Sequence, residues 1–284
     1  MKTFLITTDF SANARHAAEY GYSLAKQIKA NIVLCNAVVV PAEIPQAGMV
    51  VWPMEEYDTL MDDSAEELEK LKAHLEQNSD GFQPPVNCIN ETGRLADLVD
   101  DIIIEKNIDL VIAGTHGSSG LSSFLLGNHS RNMIEAATKP LLLIPSSAPI
   151  RPVKKIAFAT DFKQPEDDLK SIYALIPLAK LLNCEILLTH IYDENQQSPG
   201  FEKWIKQFLT ELSNKADYPD IYYRLIKNNR ADNGLDWLCE HGQIDVLAMV
   251  HRKTNFLSTL LKGSHTEKIA SHISIPLLVF PART

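Results

Sequence analysis

Gly114, Gly117 and Gly127 are the residues of this chain whose type and spacing ask for a chemical explanation. They lie in "GTHGSSGLSSFLLGN", residues 114–128, directly after the apolar run "DLVIA". Glycine weakens regular structure, so such a cluster at a strand end implies backbone that must bend sharply or approach something closely. Gly127 is followed by Asn128, a good helix N-cap, and by "HSRNMIEAA", a helical pattern. A helix start leaves several amides unpaired at the positive end of its dipole, which suits an anion such as phosphate. The spacing Gly-x-x-Gly, nine residues, Gly is neither a Walker loop, which needs Gly-Lys-Ser/Thr, nor a GxGxxG dinucleotide turn. From these residues alone, a glycine-rich connection with no ligand is an equally good reading.

A carboxylate stands at the end of the first apolar run: "FLITTD" closes on Thr8-Asp9. Asp9 either accepts hydrogen bonds from a ligand or caps the helix that follows from Ser11. His116 and His129 recur as His251 and His265, but with no Cys or carboxylate at close spacing a packing or interdomain role outweighs a metal site. No GxSxG, HExxH or pair of carboxylates at catalytic spacing is present, so no catalytic residue is assigned. Arg94, after "ETG", reads as a solvated residue at a helix start.

The elements that must position these residues are written twice. "FLITTDFSANARHAAEYGYSLAKQIKANIVLCNAV" parallels "IAFATDFKQPEDDLKSIYALIPLAKLLNCEILLTHIY", "NIDLVIAGTH" parallels "QIDVLAMVHR", and "TKPLLLIP" parallels "SIPLLVFP". Asp9 matches Asp161, Asp109 matches Asp245, Gly127 matches Gly263 and Pro140 matches Pro276. Two domains are expected, 1–147 and 152–284, joined by the Pro/Ser-rich "PSSAPIRPVKK". In copy one, strands are expected at 3–8, 31–39, 86–91, 109–115 and 140–145, and helices near 12–29, 56–78, 94–106 and 128–138. Continuous Val/Ile/Leu strands alternating with helices imply a doubly wound α/β domain, its parallel sheet covered on both faces. Ligands of such sheets sit beyond the carboxyl ends of the strands, where strand order reverses.

The chain has 284 residues and a net charge of −9, which argues against nucleic acid or an anionic membrane as main partner. Four scattered cysteines with no CxxC suggest reduced, mostly buried thiols. An acid by residue 9 and no long apolar stretch free of prolines point to a cytoplasmic protein without a signal peptide or membrane span.

The pattern G-x-x-G-x9-G, an early "TDFS" and a closing "KPLLLIP" resemble the universal stress protein family, in its tandem two-domain form. The resemblance implies a five-stranded parallel sheet in the order 3-2-1-4-5 in each half, flanked by helices. It also implies an intrachain pseudo-dimer through the closing strands, with a homodimer open, and ATP or ADP with Mg²⁺ as ligand. The implied nucleotide residues are Thr8, Asp9, Ala37, Gly114, His116, Gly117, Gly127, Asn128, His129 and Ser130. Asp9 would accept from the adenine edge, and the backbone at Ala37 would border the base. Gly114 and Gly117 would pass close to ribose and phosphate, and the amides of Gly127, Asn128 and His129 with the Ser130 hydroxyl would hold the phosphates. The family's Ser/Thr after the last glycine is Asn128 here, which caps a helix but brings no hydroxyl.

Copy two departs further. Aligned from its strand, it sets Met249 and Arg252 where Gly114 and Gly117 stood, with one residue inserted before Gly263, so Arg252 is expected to fill the crevice. Glu166, Asp167 and Asp168 add negative charge beside Asp161. The chain therefore reads as a stress-response sensor or binding module with one nucleotide, and at most slow ATP hydrolysis. The alternatives are a nucleotide-free scaffold acting through dimerisation and protein partners, and a related α/β enzyme. The pyrophosphatase type would need Ser-Gly-Gly-x-Asp-Ser where this chain has "TTDFSAN".

Overall fold

The structure is a computed structural model, and it describes residues 1–39, 54–77, 81–115, 133–192, 200–252 and 274–281. Copy one forms β1 (Thr3–Thr7), α1 (Ala12–Ile28), β2 (Asn31–Val38), α2 (Met54–Gln77), β3 (Val86–Thr92), α3 (Leu95–Glu105), β4 (Leu110–Gly114) and β5 (Leu141–Ile144). Copy two forms β6 (Lys155–Ala159), α4 (Pro165–Leu182), β7 (Glu185–Tyr192), α5 (Phe201–Ala216), β8 (Ile221–Lys227), α6 (Ala231–His241), β9 (Val246–His251) and β10 (Leu277–Pro281). Of the helix expected at 128–138, residues 133–138 are described; 133–136 are helical and 137–138 are not.

The inner strands are apolar on both faces because both faces are covered. Phe4, Ile6, Leu34 and Ile112 meet Ala17, Ala18 and Leu24 of α1 and Leu68, Leu71 and Leu75 of α2. Leu5, Val33, Val111 and Ala113 meet Val99, Ile102 and Ile103 of α3. Parallel pairing puts β1 between β2 and β4, and the whole sheet runs β3-β2-β1-β4-β5-β10-β9-β6-β7-β8. Each half is therefore the 3-2-1-4-5 arrangement. The order reverses at β1, so the crevice at the carboxyl ends of β1 and β4 is the ligand position of this architecture.

The two halves join edge to edge: β5 pairs antiparallel with β10, with Leu142 opposite Leu278. Those two leucines are equivalent positions, so the pseudo-two-fold relation passes between them, and neither short closing strand is left as an open edge. The repeated acid Asp109/Asp245 has a structural explanation. Asp109 accepts from the Thr3 amide at 2.9 Å, and Asp245 accepts from the Lys154 and Lys155 amides at 2.8 and 3.0 Å. Each carboxylate thus secures the start of the strand that runs beside it. Gln27 holds the linker, accepting from Val153 N at 3.1 Å and donating to Val153 O and Leu182 O.

The strand register corrects the alignment of the halves by one residue. β1 pairs Phe4 with Leu110 as β6 pairs Ile156 with Val246. Gly114 is therefore matched by Val250, Thr115 by His251 and His116 by Arg252, while Met249 stands opposite Ala113. The inserted residue disappears, because the same offset already maps Gly127 onto Gly263. The glycine of copy one is lost to a β-branched residue, and the His116/His251 recurrence is not positional.

Candidate functional site

The site begins with the turn that carries the chain from β1 to α1. Thr8 N donates to Cys35 O of β2 at 2.9 Å, so pairing runs to the tip of the strand. Thr8 Oγ1 then accepts from Phe10 N at 3.0 Å, and Asp9 Oδ1 accepts from Ser11 N at 3.1 Å. These side-chain bonds replace backbone ones and reverse the chain, with Phe10 in the left-handed region at φ 61. Ser11, not Asp9, is the helix cap: its Oγ accepts from Ala14 N at 3.2 Å. Copy two repeats the device, with Phe162 N to Thr160 Oγ1 at 3.0 Å and Lys163 N to Asp161 Oδ1 at 3.1 Å. Thr-Asp-Phe is thus a turn-building motif in both halves, and Asp9 meets any ligand from a turn already fixed.

Across the crevice, Gly114 ends β4 against α1. A Cβ at this residue would lie 3.2 Å from Asn13 O and 3.3 Å from Asn13 C. The residue is glycine because the strand end touches the backbone of the first helical turn. Copy two makes room for Val250 differently: Thr8 to the left-handed cap Lys29 is 21 steps, whereas Thr160 to the corresponding cap Asn183 is 23. The longer entry re-forms the start of α4.

Counted back from those caps, Asp168 takes the place of Ala14. Its carboxylate is buried, accepts from Thr160 Oγ1 at 2.7 Å and receives Arg252 Nη2 at 2.7 Å. Arg252 Nη1 lies 3.8 Å from Asp161 Oδ1. Burial pushes the Asp168 carboxyl above its ordinary range, while Thr160 and Arg252 pull it back. The acids expected to repel phosphate are therefore divided: Asp168 is neutralised inside the crevice, and Asp167 pairs with Lys170 at 3.0 Å on the surface.

The strand-two side of the crevice is changed as well. Ile191 replaces Ala37, and it fills the space beside Gly234, where a Cβ would sit 2.6 Å from Ile191 Cγ2. Copy one has the reverse pairing, small Ala37 on the strand and Leu98 on the helix. What remains in copy two is a cavity of about 70 Å³ lined by Thr160, Asp161, Asp168, Ile191, Val250 and Arg252. Pockets that hold drug-sized ligands measure roughly 300–1,000 Å³, several times this space.

Of the nucleotide residues expected from the sequence, Thr8, Asp9, Ala37 and Gly114 are brought to the carboxyl ends of β1, β2 and β4. His116, Gly117, Gly127, Asn128, His129 and Ser130 lie outside the described residues. Among the described residues no three of His, Cys, Asp or Glu cluster to hold a metal. Sequence reasoning missed Asn36, Ser64 and Asn90, which are hydrogen-bonded beneath the Thr8 turn. Asn36, a polar residue inside the apolar run of β2, was the available signal.

The universal stress protein family model matches residues 1–145 and again residues 152–281, so the chain belongs to that family and carries its domain twice. Universal stress protein MJ0577 of Methanocaldococcus jannaschii is 28% identical over 158 residues, covering 50% of this chain and 94% of that protein. A universal stress protein from Archaeoglobus fulgidus DSM 4304 shares the fold over 99% of this chain and 98% of its own, with TM-score 0.69 and 15% identity. The functionally unknown protein PA1789 from Pseudomonas aeruginosa PAO1 does so over 99% and 93%, with TM-score 0.58 and 13% identity. Among the described residues no helix is long and apolar enough to cross a membrane.

Proposed function

We propose that copy one binds one adenine nucleotide, ATP or ADP with Mg²⁺, and that copy two is a closed partner domain. The chain is then a nucleotide-dependent binding or sensing module of a stress response. The carrying observation is the difference between equivalent crevices. Copy two fills its crevice with Asp168, Ile191, Val250 and Arg252, where copy one has Ala14, Ala37, Gly114 and His116. The small residues Ala14, Ala37 and Gly114 stand in the half whose sequence also carries the glycine spacing and a helix start suited to phosphate.

Thr8 and Asp9 would offer acceptors to the adenine edge, and Ala37 would leave the base room at the end of β2. Gly114 would let the phosphates pass close to the backbone, with His116 and Gly117 following it. Gly127, Asn128, His129 and Ser130 would supply the phosphate donors. Without a ready metal cluster in the described residues, Mg²⁺ would arrive on the phosphates, as its reluctance to lose water favours.

Calorimetry with ATP, ADP and GTP on the full chain tests this, together with mass spectrometry of small molecules released on denaturation. One adenine nucleotide per chain, preferred over guanine, is expected. No binding at millimolar ATP would replace this reading with the scaffold, in which the β5–β10 junction and external surfaces carry the function.

A further inference from the structure

Asn36, Ser64 and Asn90 place neutral polar groups under the site turn, Asn36 in the buried, largely apolar strand β2. Asn36 and Ser64 are 7% and 8% exposed. Burying such groups is unfavourable unless each finds a partner. Here they form one chain of contacts: Asn36 Nδ2 donates to Thr8 O at 2.7 Å, and Ser64 Oγ lies 2.9 Å from Asn36 Oδ1 and 2.7 Å from Asn90 Oδ1. Asn90 Nδ2 donates to Met61 O at 2.8 Å. The amide orientations follow from these contacts. Turning Asn36 would set its oxygen against the Thr8 carbonyl, and turning Asn90 would set its oxygen against the Met61 carbonyl. Ser64 then has one proton for two carbonyl oxygens, and its hydroxyl links α2 to β2 and β3 at once.

The acceptor at the end of this chain is the carbonyl immediately before Asp9. Three bonds fix that turn: Asn36 holds the Thr8 carbonyl, Thr8 Oγ1 holds the Phe10 amide and Asp9 Oδ1 holds the Ser11 amide. Copy two keeps the first bond with a different residue. His190 occupies the position of Asn36, with Nδ1 2.9 Å from Thr160 O. The relay beyond it is gone, since β8 pairs Leu225 with His190 where β3 pairs Asn90 with Asn36. Copy two holds its turn through His190, whereas copy one ties its turn to α2 and β3.

We propose that Asn36 is a positioning residue for the nucleotide site, aiming Asp9 through the Thr8 carbonyl, and that Ser64 and Asn90 make α2 and β3 part of that support. The proposal rests on nucleotide binding by copy one. The full chain and its Asn36→Leu, Asn36→His and Ser64→Ala variants would be compared by hydrogen exchange at Phe10 and Ser11, ATP and GTP calorimetry, and urea unfolding. Asn36→Leu should speed exchange at both amides and weaken ATP about 5–10-fold, the worth of one hydrogen bond, with the ATP-to-GTP preference reduced. Asn36→His, which supplies the residue copy two uses, should restore both readouts. Ser64→Ala should shift them in the same direction by less, and it decides the matter if Asn36→Leu does not fold. Unchanged exchange at Phe10 and Ser11 in folded variants would overturn the positioning role, as would an affinity loss that Asn36→His does not repair. If the unaltered chain takes no nucleotide, the functional reading falls and the exchange measurement alone decides whether Asn36 holds the turn.

Discussion

Arg252 Nη2 lies 2.7 Å from Asp168 Oδ1, joining the end of β9 to the first turn of α4 across the crevice of copy two. The side chains are 10% and 1% exposed, so this is a buried pair rather than a surface contact. Burial of both charges opposes much of their attraction, and the raised Asp168 carboxyl expresses that. Removing one partner is the damaging change, because the other is left charged and unpaired.

Arg252→Ala should therefore destabilise the chain by about 3–5 kcal/mol, and Arg252→Ala with Asp168→Leu should recover a large part of it. Urea unfolding of the single and double variants measures this. A single-variant cost below about 1 kcal/mol would show that the pair behaves like an exposed one.

Titration should count one adenine nucleotide per chain. Gly114→Val should lower that affinity at least tenfold, because its Cβ would press on Asn13 at 3.2 Å and displace the start of α1. The same overpacking should cost about 1–3 kcal/mol of stability. Gly263→Ala, in the half whose crevice is filled, should leave binding unchanged. Two equivalent sites per chain would contradict the closure of copy two.

Stability should fall as the pH drops below about 6.5, the ordinary histidine value. Burial lowers the His190 pKa against the pull of the Thr160 carbonyl and Asp161, and burial lowers that of His251 against Glu135. The native state then binds fewer protons than the unfolded chain. The stability these groups contribute is present above 6.5 and lost as the pH falls through their folded values. Asp168 acts with the opposite sign: its contribution is complete below 3.8 and lost as the pH rises through its raised folded value. His190→Asn, which installs the residue of copy one, should flatten the fall below pH 6.5 in denaturant titrations. An unchanged slope would remove His190 as a contributor.

The thiols should be inert in the native protein. Cys35 and Cys184 are buried, burial pushes Cys35, Cys184 and Cys239 up to about 12, and Cys88 is raised to about 11. At neutral pH almost none is thiolate, the reactive form. A colorimetric thiol reagent should label fewer than one cysteine per native chain over minutes and four in urea. Rapid labelling of the folded chain would show that it opens locally.

The repeat, the α/β alternation and the buried parallel strands were all legible in the sequence, because hydrophobic periodicity acts over a few residues; that Thr-Asp-Phe builds a turn was not. The glycine spacing likewise marked copy one as the half to examine and Arg252 as the residue that fills the other. Tertiary structure decided the rest. Only strand register set Val250 opposite Gly114, since a one-residue shift leaves an apolar run looking unchanged. Only the docking of α1 on β4 explained Gly114 by its contact with Asn13. Asp168 reads in sequence as one of three exposed acids at a helix start; the longer entry to α4 turns it inward, 84 residues from the arginine that neutralises it. Asn36, Ser64 and Asn90 carry no motif, and their meaning appears when β2, β3 and α2 meet under one carbonyl. Local chemistry chooses the elements, but which side chains share a proton depends on distances that only the packed sheet and helices fix.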